Sequence, residues 1–235
     1  MGIFGRKKQL LSIENLRNGD IDKIASMIKG DRSFLKELRI LVVDDLEFPY
    51  TGALQEYNYH IEQRKDATPD NAIDFDIVLC DRKGVGKALK SAKEGGALAL
   101  AIKERFPLKF VALYTTTTEG LQDIEILKSL DDVVQPGGDA DDFKAILDSW
   151  SKKILDPREQ WIRFRSELLK KKVSIHEVAK LENEFVSQYN NGNIANLSEN
   201  NFIPLVSSIG TALVVEFFKL SVFKILPKVL SSGTL

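Results

Sequence analysis

At 235 residues, 43% of them hydrophobic, the chain is too long for one small α/β unit and long enough to bury a real core, so one core domain plus an appendage, or two small domains, is expected. With 33 basic and 34 acidic residues the formal net charge is −1, which gives no global field to attract nucleic acid or an anionic membrane. The single cysteine, Cys80, lies in an apolar run, which excludes a disulfide framework or a cysteine zinc site built from this chain alone and is compatible with a reducing, cytoplasmic setting. The first residues, MGIFGRKKQLL, are basic but carry no continuous apolar run and no small-residue cleavage site, so secretion is not expected.

Residues 1–37 carry helical patterns broken by punctuation. Asn18-Gly19-Asp20 precedes IDKIASMIK and Gly30-Asp31 precedes a short run to Leu38, which predicts two or three short helices. From 39 to 150 the pattern alternates. Strand RILVV is followed by a helix around Phe48 to Tyr57, a strand near His60 to Gln63, strand DIVLC, and a helix from Gly96 to Arg105. Strand KFVALY, a helix near Glu119 to Leu130, a strand at Val133-Val134 and a helix from Asp141 to Trp150 complete the series. Strands that are nearly all apolar, alternating with helices, predict a parallel sheet covered on both faces. Only KDATPDNAIDF separates the second strand from the third, room for a short helix at most. After Asp156-Pro157, where Pro suits a first helical turn, the chain turns helical. One helix is expected from Pro157 to about Lys171 and another from Ser174, where Ser174 and Glu177 have capping-box spacing. The asparagine-rich stretch from Asn190 to Asn201 is expected to be a loop.

Strand tips carry the chemistry. VVDD ends at Asp45, DIVLCD at Asp81, FVALYT at Thr115 and DDVVQP at Pro136, and the tips of parallel strands at one sheet edge are where α/β domains build their sites. Asp44, Asp45 and Asp81 would place three carboxylates in one crevice, where like charges raise each other's pKa unless a divalent cation is present; Mg²⁺ is the expected tenant. A single strand-end Asp is most often a helix cap, whereas the ordered set is a stronger signal.

On these residues the chain resembles the receiver domain of two-component response regulators. Asp44 and Asp45 match the metal-binding acidic pair, Asp81 the phospho-accepting Asp and Thr115 the switch Ser/Thr, and Gly96-Ala97-Leu98-Ala99-Leu100 resembles the family's start of the third helix. Where the family places Lys before Pro after the fifth strand, this chain reads Gln135-Pro136, which removes a charge-assisted contact to a bound phosphate. The family's aromatic residue near the fifth strand is also missing: Asp132 or Val133 stands there, and Tyr114 is the nearest aromatic. RKGVGKALKSAKEG, between Asp81 and Gly96, is longer than the family's loop, and its Arg82, Lys83, Lys87, Lys90 and Lys93 offer substitutes for the absent Lys; the blander reading is a solvated basic loop. Gly84-Val85-Gly86-Lys87 is not a P-loop, because Ala88 occupies the Ser/Thr position.

Hydrolase chemistry finds few candidates, with His60 and His176 the only histidines and no GxSxG motif. His176, in the first turn after Ser174, is expected to be an ordinary surface histidine. The tail FIPLVSSIGTALVVEFFKLSVFKILPKVL is the most apolar segment, but Glu216 enters it and Lys219, Lys224 and Lys228 follow, which argues against a membrane span. On a helical wheel Phe218, Val222, Ile225, Leu226 and Val229 share one face opposite Glu216, Lys224 and Lys228. Core of an appendage, a surface for self-association and insertion into a membrane surface are the competing readings of that face.

The expected fold is α/β, a doubly wound five-stranded parallel sheet of receiver/flavodoxin-like type, with short N-terminal helices (1–37), a receiver-like domain (38–150) and an α-helical C-terminal module (151–235). The resemblance implies a signalling protein and not an enzyme, acting through a protein partner or a sensor kinase, cytoplasmic or peripheral to a membrane. Homo-oligomers through the C-terminal helices are expected, and no nucleic-acid partner, because no basic recognition helix is evident. Phosphorelay switching is expected to be impaired by Gln135. A phosphorylatable regulator with Asp81 as acceptor, and a membrane-associated effector, are the alternatives.

Overall fold

The computed structural model describes residues 11–16, 18–115, 124–135 and 139–231. Helix α1 (Asn18–Lys29) and a 3-10 turn, Ser33–Glu37, lead into strand β1 (Arg39–Val43). Helix α2 (Thr51–Glu56) connects β1 to β2 (His60–Arg64), a 3-10 turn at Pro69–Ala72 connects β2 to β3 (Ile77–Asp81), and α3 (Gly95–Arg105) leads to β4 (Phe110–Tyr114). Then α4 (Ile124–Ser129), β5 (Asp132–Val134) and α5 (Ala140–Leu155) follow. All pairings are parallel and the order is β2-β1-β3-β4-β5, the doubly wound receiver/flavodoxin-like topology.

The period of two along the strands separates two cores. Ile40, Val42, Ile77, Leu79, Phe110, Ala112 and Tyr114 face one side; Leu41, Val43, Val78, Cys80, Val111 and Leu113 face the other, under α3. Both faces are covered, which is why these strands read as unbroken apolar runs. Edge strand β2, HIEQR, buries only Ile61.

The C-terminal module comprises α6 (Pro157–Lys170), α7 (Ile175–Asn190), α8 (Glu199–Phe202), α9 (Ser208–Lys219) and α10 (Val222–Ser231). Its helices start where the sequence signals them. Asp156 Oδ1 accepts from the Arg158 N–H with Pro157 in the first turn, and Ser174 and Glu177 form the expected capping box. Glu177 also accepts from the Ser207 N–H, joining the start of α9 to that of α7; hydrogen bonds, first that from the Ser174 hydroxyl and then those from the Ser207 and Ser174 amides, pull its carboxyl down to about 2.

Several expectations are corrected. Helix α5 runs to Leu155 and so crosses residue 150, and the Asn190–Asn201 stretch holds a 3-10 turn, Asn193–Asn196, and the first turn of α8. The tail is two helices, because the Asp76 carboxylate captures both the N–H (3.0 Å) and the hydroxyl (2.8 Å) of Ser221 and fixes a corner there. Glu216 does not face solvent with the lysines: its Oε1 accepts from the Leu108 N–H at 3.1 Å.

One apolar cluster runs from Ile13, Ile28 and Leu35 through Val42 and Phe110 to Trp161, Phe217 and Leu226, so all three segments share a core. At its centre Phe164 stacks on Phe217 (centroids 4.3 Å apart) and Trp161 on Phe185 (4.9 Å). Phe217, Phe218, Val222, Phe223, Ile225 and Leu226 are all buried within the single chain. Of the three readings of that apolar face, the core of the helical appendage is the one these buried side chains favour. Among the described residues no helix is long and apolar enough to cross a membrane.

Candidate functional site

Strands β1 and β3 are neighbours, with Val43 beside Cys80, so the residues after Val43 and the last residue of β3 meet at one edge. The ligand oxygens of Asp44, Asp45 and Asp81 lie within 4.8 Å of one another. Asp44 is buried and its Oδ1 accepts from the Leu46 N–H at 2.9 Å; Asp81 Oδ1 accepts from the Arg82 N–H at 2.6 Å. Burial pushes the Asp44 carboxyl above the usual Asp range, opposed by the Leu46 amide and reinforced by the charge of Asp45. Asp81 is raised in the same way: burial leads, the Arg82 and Lys83 amides oppose it, and the charges of Asp44 and Asp45 add to it. Three clustered hard oxygen donors, two of them carrying an unrelieved cost of ionisation, fit a small divalent cation such as Mg²⁺.

Two glycines that motif reading passes over shape this edge. A side chain at Gly84 would strike the Asp45 carboxylate, and the Gly84 N–H donates to Glu94 Oε2 at 2.9 Å. A side chain at Gly95 would strike the Asp81 carbonyl oxygen, so only glycine lets α3 start against the end of β3. Gly84 follows the strand-end Asp81 by three residues and Gly95 opens the next helix, but the contacts that require them exist only in three dimensions. On the other flank, Gln63 braces the loop after Asp45: its Oε1 accepts from the Phe48 N–H (3.0 Å) and its Nε2 donates to the Leu46 carbonyl (2.5 Å). Phe48 then packs edge-on against Tyr50, Tyr114 and Phe143, with centroids 5.3–5.6 Å away.

Thr115 follows β4 directly, next to Tyr114, which pairs in register with Asp81. It is buried, and its N–H donates to the Val134 carbonyl at 3.1 Å. Gln135 follows β5 and is exposed; Pro136 lies outside the described residues. Thr115 and Gln135 therefore stand on the same sheet edge as the carboxylates. Tyr114 is buried beneath that edge, and its hydroxyl has no hydrogen-bond partner among the described residues. Of the loop cations, Lys83, Lys87 and Lys90 are exposed, while Arg82 has a buried Nη1 without a hydrogen-bond partner among the described residues. His60 and His176 are both exposed, in keeping with surface roles.

No family model matches the chain, and no curated protein matches it. Solved structures that match include NtrX from Brucella abortus in complex with ADP (15% identity, TM-score 0.39, 69% of this chain and 34% of that one). A second NtrX structure from the same organism matches at 18% identity with TM-score 0.40, over 69% of this chain and 35% of that one. Full-length FixJ from B. japonicum matches at 17% identity with TM-score 0.40, over 84% of this chain and 98% of FixJ. The chain spans about a third of the length of the NtrX chains. Likeness at this level carries no argument about activity. The strand order and the helices around the sheet define the class of fold: a doubly wound, receiver/flavodoxin-like α/β domain with an added C-terminal helical module.

Proposed function

We propose that the chain is a divergent receiver-type signalling protein that works by protein–protein interaction, with a divalent-cation crevice at Asp44, Asp45 and Asp81 and with Asp81 as the phosphoryl acceptor. The observation that carries this reading is the convergence of the three carboxylates at adjacent strand ends. In the acceptor step a carboxylate oxygen of Asp81 bonds to phosphorus while the acyl–oxygen–phosphorus link of the donor breaks and its carboxylate leaves. Asp44, Asp45 and Asp81 would hold a Mg²⁺ ion, which would supply charge neutralisation for the carboxylates and for the incoming phosphoryl group. Thr115, one residue beyond the strand partner of Asp81, is the hydroxyl that would follow the new phosphate. Gln135 can donate a neutral hydrogen bond but no charge, so transmission of the modification is weak. The partner is a protein, of sensor-kinase type where Asp81 is modified. A membrane-bound effector and pairing through α9 and α10 both lose their motive, because Phe218 and its neighbours are already buried.

The test is the mass of the intact chain after treatment with a small acyl-phosphate donor and Mg²⁺, with Asp81→Asn as control. One added phosphoryl group, absent in the control, is expected. Hydrogen exchange across β4 and β5 with beryllofluoride should then change little in the parent and clearly in Gln135→Lys. Equal responses in the two proteins would remove Gln135 from the explanation; no modification and no response in either would leave an interaction module without phosphoryl chemistry.

A further inference from the structure

The loop that leaves Asp81 is held in shape. The Asp66 carboxylate, just after β2, accepts from the N–H groups of Gly86 (2.6 Å) and Lys87 (3.3 Å) as well as from that of Ala67 (2.9 Å). Val85 is fully buried in the core under α3, and Glu94 holds the Gly84 N–H. On these anchors stands a 3-10 turn, Lys87–Leu89, with left-handed backbone at both ends: Gly86 at φ 74° and Lys90 at φ 49°. Glu94, at φ 45° and ψ −121°, closes the loop in another conformation that side chains disfavour. A run of lysines kept only for solubility needs none of this.

The fixed turn presents Lys83, Lys87 and Lys90 to solvent, and none of the three forms an ion pair with a carboxylate among the described residues. Leu89, at the turn itself, is 38% exposed, and Leu46, next to the Asp45 that touches Gly84, is 72% exposed. Exposed cations and the half-exposed Leu89 therefore alternate along this turn, whose start at Gly84 abuts Asp45, on a chain whose net charge is −1.

We infer that this basic turn, 83–90, is a docking surface for an acidic, partly apolar segment of a partner protein. Charge complementarity selects an acidic partner, and the two leucines select one with apolar side chains among its carboxylates. Extended polyanions fit poorly. A nucleic acid or an anionic lipid surface extends beyond the turn over a chain whose net charge is −1, whereas a short acidic segment can engage the turn alone.

The probe is a fluorescein-labelled synthetic peptide of alternating Glu and Leu, added to the full chain and followed by fluorescence anisotropy. Saturable binding is expected, weakened at least tenfold in Lys87→Glu/Lys90→Glu and several-fold in Leu89→Ser, and unchanged in Lys171→Glu/Lys180→Glu. Asp66→Ala leaves every lysine in place but frees the turn, so it should also bind several-fold more weakly while the circular dichroism of the fold persists. All the charge variants lie on the surface and report independently should Asp66→Ala misfold. Absence of binding, equal affinity of Lys87→Glu/Lys90→Glu and parent, or full affinity in a folded Asp66→Ala would overturn the inference. So would equally tight binding of phosphatidylserine vesicles or a single-stranded oligonucleotide at the same salt, which would mark a general polyanion site.

Discussion

Replacing Asp76 by alanine should destabilise the whole molecule, although the residue lies at the opposite end of β3 from the carboxylate crevice. Its carboxylate is buried and accepts from the Arg39 N–H (3.1 Å), the Ser221 N–H (3.0 Å) and the Ser221 hydroxyl (2.8 Å). Removing it leaves three donors at the junction of sheet and tail without an acceptor. A buried donor left unmatched costs about 1–3 kcal/mol, and relief of the carboxylate's own desolvation offsets part of the sum, so a net loss of about 3–6 kcal/mol is expected. That is a large share of the ~5–15 kcal/mol by which a domain is stable. Asparagine keeps acceptor capacity on one side only and should lose about half as much. Urea unfolding followed by tryptophan fluorescence, from Trp150 in α5 and Trp161 in α6, and by far-ultraviolet circular dichroism measures the effect. The two signals should move together to a lower midpoint, because sheet and tail share one core. A loss below about 1 kcal/mol, or a split transition in which the C-terminal helices melt alone, would refute the reasoning.

Phe217→Ala removes a fully buried ring stacked on Phe164 and should cost about 3–5 kcal/mol by the same urea assay; a loss under about 1 kcal/mol would show that the aromatic centre is loosely packed. Truncation after Asn201 uncovers the other half of that centre, so the remainder should aggregate or bind a hydrophobic dye, and a soluble, cooperatively folding fragment would contradict a shared core. With α9 and α10 covered, the full chain should sediment as a monomer at micromolar concentration, and a stable dimer would reveal a surface other than the tail's apolar face. For Asp44 and Asp81, whose carboxyls are raised mainly by burial, the folded state holds more protons than the unfolded state from about pH 4 up to the raised values, so stability without metal falls as pH rises through that window. Mg²⁺ should therefore raise the Tm little near pH 4 and more near pH 7, and a shift independent of pH would count against the carboxylates as its ligands.

Much of this architecture was legible because burial writes itself into sequence. Strands β1, β3 and β4 are apolar on both faces, and α7 announces its start by Ser174 and Glu177. The carboxylates could be placed together because Asp44, Asp45 and Asp81 each end an apolar run, and parallel strands bring such ends to one edge. The corner at Ser221 was not legible, since it depends on Asp76, 145 residues away, and no local signal marks it. The covered tail was hidden for the same reason: whether Phe217 meets Phe164 or another chain is decided by tertiary packing and not by the helical wheel. Gly84 and Gly95 look like ordinary loop punctuation until the Asp45 carboxylate and the Asp81 carbonyl are seen against them.

The most direct measurement is calorimetric titration of the full chain with Mg²⁺ at neutral pH, beside Asp45→Asn and Asp81→Asn. A single saturable site in the parent, weakened at least tenfold in each variant while their folds persist by circular dichroism, is the result expected of a cation crevice at the strand ends. No binding by the folded parent, or equal binding by all three proteins, would contradict it.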